Sequence, residues 1–97
     1  MSDYSQFDPI LNAWGERHAL RIGTSFKDCE VRTTNIVSNI GEMFQVWLGV
    51  PRDNEVSIHV WDYKDRRKNW ENVTLHQLDP ILEAAFQTAK TWMKPSN

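Results

Sequence analysis

From Thr74 onward, apolar residues recur at Leu78, Ile81, Leu82, Ala85, Phe86, Ala89, Trp92 and Met93, the three-and-four spacing of a single helical stripe. This predicts a C-terminal helix. Thr74 and Gln77 form a capping-box pattern, Asp79-Pro80 offers a second start inside it, and Lys90, Lys94 and Pro95 mark its end. Residues 5–18 carry the same period at Phe7, Ile10, Leu11, Trp14 and His18/Ala19, predicting an N-terminal helix that stops near Arg17–Ala19. Its start is open by one turn, because Ser5 with Asp8 resembles a capping box while Asp8-Pro9 can serve as N-cap and first helical residue. Gly15 weakens this helix by about 1 kcal/mol relative to alanine.

Between the helices the period changes to two. Leu20, Ile22, Thr24 and Phe26 alternate, then Cys29, Val31 and Thr33 do so on the opposite parity, which a bulge or turn at Lys27-Asp28 would explain. Asn39-Ile40-Gly41 is a turn before a strand from Glu42 to Val50. Pro51-Arg52-Asp53-Asn54 then turns the chain into a return strand from Glu55 to Tyr63. A charged connection at 64–69 leads to a short edge strand over Trp70 to Val73. The fold class is therefore α+β, one two-layer domain over residues 1–97 with a helix, an antiparallel meander of three to five strands and a second helix.

Side chains alternate across a strand, and here the alternation sorts aliphatic from aromatic. Phe44, Val46, Leu48 and Val50 share a face with Val56, Ile58 and Val60, which two amphipathic helices can cover. The opposite face would show Met43, Trp47, His59, Trp61, Tyr63 and Trp70, where an antiparallel sheet usually presents polar residues to water. These six are the candidate binding residues. Trp and Tyr add large rigid contact area with one polar handle each, as interface hot spots do. Two structural alternatives need no partner: the rings support one another with Arg66, Arg67 or Lys68 over them, or the N-terminal helix folds across this face.

Composition narrows the function classes. The 97 residues are 40% apolar and 25% charged, suiting one globular unit. The net charge of −2 supplies no global field for nucleic acid or anionic lipid. The first twenty residues lack a basic start followed by an apolar stretch, and no apolar run approaches about 20 residues, so neither a secretory leader nor a membrane partner is expected. Cys29 is the single cysteine, which excludes an internal disulfide, suits the cytoplasm and reads as a small buried hydrophobe.

Chemistry-bearing patterns are sparse. His18, His59 and His76 have no metal-ligand spacing, and no phosphate loop, dinucleotide fingerprint or nucleophile elbow occurs; no metal, cofactor or catalytic residue is assigned. The chain reads as a noncatalytic binding protein, a homodimeric adaptor, chaperone or immunity-type protein whose partner is a second copy or another protein. One alternative is a small-molecule site or modest enzyme near His59, with Asp62 and Tyr63 as polar groups. The other is single-stranded nucleic acid held by Lys64, Arg66, Arg67 and Lys68 with Trp61 and Trp70, which Asp62, Asp65, Glu71 and the acidic total disfavour.

Overall fold

The Asp8-Pro9 step starts the first helix, α1 (Asp8–Arg17), with Phe7 as its N-cap and the Phe7 and Asp8 N–H groups donating to the Tyr4 carbonyl at 2.8 and 2.7 Å. In this computed structural model, residues 4–25 and 31–94 are described. Strands β1 (Gly23–Ser25), β2 (Val31–Val37), β3 (Met43–Leu48), β4 (Val56–Trp61) and β5 (Arg67–Val73) follow, then helix α2 (Leu75–Trp92). They form one antiparallel five-stranded sheet in sequence order β1-β2-β3-β4-β5. Cys29 and the expected irregularity at Lys27-Asp28 lie outside the described residues.

The turns follow from their residues. Asp53 and Asn54 both adopt left-handed backbone (φ 54° and 62°), the geometry of a tight hairpin turn that Asp and Asn tolerate, closed by paired Arg52–Glu55 hydrogen bonds of 2.9 and 3.0 Å. Between β2 and β3 the chain turns at Gly41, whose φ of 87° suits glycine. Asp62 ties the β4–β5 connection: Oδ1 accepts from the Lys64 and Arg66 N–H groups at 2.9 and 3.1 Å, and Oδ2 from Arg66 Nε at 2.8 Å. That clamp explains why Asp62, on the parity of Val60, is buried.

Both helices lie over the aliphatic face. Phe44, Val46, Leu48, Val56, Ile58 and Val60 form one core cluster with Phe7, Leu11 and Trp14 of the α1 segment and Leu78, Leu82, Ala85 and Ala89 of α2. Burying an aliphatic or aromatic side chain of this kind contributes about 1.5–3 kcal/mol. Tyr4 closes one end, its hydroxyl donating toward the Leu48 and Gly49 carbonyls at 3.3 and 3.1 Å, with the Arg32 guanidinium over its ring at 4.2 Å. Arg32 also donates to Asp8 at 3.0 Å, which joins β2 to the start of α1. Gly15, costly in an isolated helix, is a packing requirement, since a methyl there would press on Ile22 and the Leu20 carbonyl at 3.1–3.3 Å.

Strand β5 starts earlier than its composition indicates, at Arg67, and carries a bulge: the register shifts between Val56/Val73 and Ile58/Trp70, with Asn72 at φ 56°. No helix among the described residues is long and apolar enough to cross a membrane.

Candidate functional site

Both described helices pack on the aliphatic face, and among the described residues no helix lies on the second face, whose register sets out the side chains in rows. Cross-strand partners share a face. Val37 pairs with Met43 at the end nearest the β2–β3 turn; the next row holds Asn35, Gln45, Trp61 and Arg67, and the row after it Thr33, Trp47, His59 and Asn69. Gly49 and Ser57 continue the face beyond His59, the Gly49 N–H donating to the Ser57 carbonyl at 2.9 Å. Of the expected binding residues, Met43, Trp47, His59, Trp61 and Tyr63 therefore come together.

Trp70 does not. It stands opposite Ile58 and packs against the core from the helix side, with Lys68 Nζ over its ring at 5.1 Å. This corrects the expected placement. The strand begins three residues before Trp70, and an apolar indole gains more by covering Ile58 than by joining an already crowded outer face.

The rings on the open face are mutually braced. Trp47 and His59 lie 4.6 Å apart between centroids, Trp61 and Tyr63 5.0 Å, and the Arg67 guanidinium sits 5.6 Å over Trp61. Their polar edges are engaged as well. Trp61 Nε1 donates to Gln45 Oε1 at 3.0 Å, and the Tyr63 hydroxyl, its pKa pushed up by burial, crosses β3 to donate to Asn35 Oδ1 at 2.6 Å. Tyr63 holds left-handed backbone (φ 65°), which is costly for an aromatic residue and turns its ring back over Trp61.

A second group follows along the same face. His59 Nε2 is 2.8 Å from Ser57 Oγ, and Nδ1 is 2.8 Å from Asn69 Oδ1. The sequence places Ser57 and His59 on one side by simple alternation, but Asn69 joins them only through the β4–β5 register, which no local pattern reveals. Asp62, the carboxylate expected beside His59, is committed to the hairpin instead. Arg66 and its backbone neighbours hold it below the usual carboxylate range, the Arg66 side-chain bond contributing most.

The cations of 64–70 are divided between two sides. Arg66 is bound to Asp62 and lies 5.5 Å over Trp92 of α2, Lys68 pairs across from Val60, Arg67 joins the aromatic row and Lys64 lines a hollow beside Met43 and Tyr63. Such a split offers no continuous track for a phosphate backbone. Among the described residues no group of three or more His, Cys, Asp or Glu side chains is arranged to hold a metal ion.

No protein family, curated protein or solved structure shows a significant match to the chain. Among the described residues, the fold is a two-layer α+β arrangement whose second sheet face carries the aromatic rows.

Proposed function

We propose that the protein is a binding protein of the cytoplasm whose open sheet face is its contact surface, and that the occupant of that face is a second copy of the chain. The observation that carries this reading is the distribution of exposed apolar side chains. Among the described residues the exposed large hydrophobics are Val37, Ile40, Met43, Val50 and Tyr63. Val37, Met43 and Tyr63 lie at one end of the face, with Trp61 and Trp47 behind them and Ile40 in the adjoining turn. Isolated exposed hydrophobics are ordinary, whereas a contiguous group argues for a partner.

Two features favour a dry protein contact. The indole of Trp61 and the phenol of Tyr63 already have partners within the protomer, so covering these rings strands few polar groups. Arg67 sits over Trp61, Lys64 and Glu42 border Tyr63 and Met43 with opposite charge, and a net charge of −2 gives two copies little reason to repel. Three strands about 4.8 Å apart and three rows about 6.8 Å apart give a plan area of about 300 Å². A pairing confined to it falls below the roughly 1,200 Å² total of stable complexes, so the affinity belongs in the micromolar range or weaker.

Light scattering across protein concentration tests this. The mass should rise from the 11.4 kDa of one chain toward twice that value, and Trp61→Ala should shift the midpoint at least about tenfold. A mass fixed at one chain up to about 1 mM would reject a self-associating face.

A further inference from the structure

The end of the open face away from the exposed apolar cluster holds three side chains in hydrogen-bonded series. Ser57 and His59 project to the same side of β4, and Asn69 meets His59 from β5. The contacts are Ser57 Oγ to His59 Nε2 at 2.8 Å and His59 Nδ1 to Asn69 Oδ1 at 2.8 Å. Their direction follows from donor chemistry. An amide oxygen only accepts, so Nδ1 carries the ring proton; Nε2 of the neutral imidazole is then a lone pair, and the Ser57 hydroxyl donates to it.

Surrounding residues hold that geometry. Trp47 lies against the imidazole at 4.6 Å, which fixes the plane of the ring. Gly49 leaves the hydroxyl its place, because a methyl group at 49 would collide with Ser57 Oγ. Beside Ser57 opens a cleft of about 340 Å³ whose lining includes Val50, Arg52, Asp53, Glu55 and Glu71. Three carboxylates against one guanidinium disfavour an anionic occupant.

We infer that Ser57 is a nucleophile for acyl transfer, with His59 as its general base and Asn69 as a positioning residue, acting on short-chain carboxylic esters whose remainder is neutral or cationic. Ser57 Oγ attacks the ester carbonyl carbon as its proton passes to His59 Nε2. The tetrahedral adduct then expels the alcohol, which takes that proton, leaving an ester on Ser57. Water attacks this ester as its proton passes to His59 Nε2; the adduct then expels Ser57 Oγ, which takes that proton back from His59, and the carboxylic acid leaves. A positioned base of this kind contributes about 10²–10⁴-fold over unassisted attack. The inference concerns the single protomer, because a second copy reaching the Trp47–His59 row would cover the base.

The test uses p-nitrophenyl acetate with the full chain, read by nitrophenolate release and by mapping the acetylated peptide. Acetyl should appear on Ser57, and Ser57→Ala and His59→Gln, each verified as folded by circular dichroism, should react at least about tenfold more slowly. Asn69→Asp should move the acid limb of the rate profile to higher pH, because a carboxylate beside the ring favours its charged form, which marks His59 as the base; Asn69→Ala, with the fold retained, should lower kcat while leaving KM unchanged, the mark of a positioning residue. The charged groups flanking Asn69 along β5, Arg67 and Glu71, are retained in that comparison. The cationic ester 4-acetoxyphenyltrimethylammonium should react faster than 4-acetoxybenzoate, each rate taken relative to its uncatalysed hydrolysis. Acetyl found on lysines with Ser57 unmodified, or undiminished reaction in folded His59→Gln, would overturn the assignment of nucleophile and base. A preference for the anionic ester would overturn the substrate class.

Discussion

Ala19 closes α1 in the left-handed region at φ 55°, with the Ala19 N–H donating to the Glu16 carbonyl at 3.2 Å and the Leu20 N–H to the Gly15 carbonyl at 2.8 Å. This is the Schellman arrangement, in which glycine is the usual residue at that point. A Cβ there costs about 1–2 kcal/mol, and glycine would return part of the gain by loosening the unfolded chain. Ala19→Gly should therefore stabilise the protein by about 0.5–1 kcal/mol, measured as a raised urea midpoint with an unchanged slope. The end of the helix near Arg17–Ala19 was legible from the loss of apolar period. The strain was not, because the sequence carries alanine where glycine would have announced the motif. Trp70 and Asp62 show a similar limit. Asp62 was expected as a polar group beside His59, whereas it is buried and held by the Lys64 and Arg66 N–H groups and the Arg66 side chain, bonds that leave no mark in composition. The face of Trp70 depended on where β5 begins, and the charged residues 67–69 concealed that start.

Helix and sheet meet through specific contacts that periodicity only outlines. The stripe of α2 and the aliphatic rows of β3 and β4 could be read directly, since each repeats several times on a fixed period and each repeat restricts the register further. What joins α1 to α2 could not. His18 stacks on Phe86 at 3.9 Å, its Nε2 is 2.6 Å from Glu83 Oε1, and Arg17 Nη2 reaches Asp79 at 2.9 Å and Glu83 at 3.4 Å. Burial pushes the Glu83 carboxyl upward, but hydrogen bonds from Gln87 and His18 and the charges of His18 and Arg17 outweigh it, holding it below its ordinary range. A depressed carboxylate stabilises the fold above its unfolded pKa, and that contribution is lost as the pH falls through the folded value. Glu83→Gln should therefore cost less than about 1 kcal/mol at neutral pH, the pair being partly exposed to solvent, and should flatten the loss of stability on the acid side. Urea titrations of both proteins at about pH 7 and about pH 2 measure this as a difference that shrinks on acidification. A difference that stayed constant would assign the clasp to packing of His18 on Phe86 rather than to charge.

At the scale of the molecule, the question is which surface a second copy could use. The sheet edges are poorly suited. Strand β1 spans only Gly23–Ser25, and β5 presents Arg67, Lys68 and Glu71 with a bulge at Asn72, features that discourage strand-to-strand addition. Strand alternation alone made the aromatic face legible, because Trp47, Trp61 and the valines beside them separate cleanly by parity. Its division into an apolar end and a hydrogen-bonded end was hidden, since it arises from Tyr63 folding back in left-handed backbone and from Asn35, Gln45 and Asn69 arriving on neighbouring strands. That division predicts separable behaviour. Met43, paired with Val37 and exposed, lies at the apolar end and far along β3 from Gly49, so Met43→Lys adds charge without opening a cavity. Two copies facing each other through this end would each have to bury an unpaired ammonium, and association should weaken at least about tenfold in sedimentation or light scattering. The urea midpoint should move by no more than about 0.5 kcal/mol equivalent, and acetylation of Ser57 should persist. Loss of stability together with association would instead place Met43 in the support of the protomer, and an unchanged mass would move the contact to another surface.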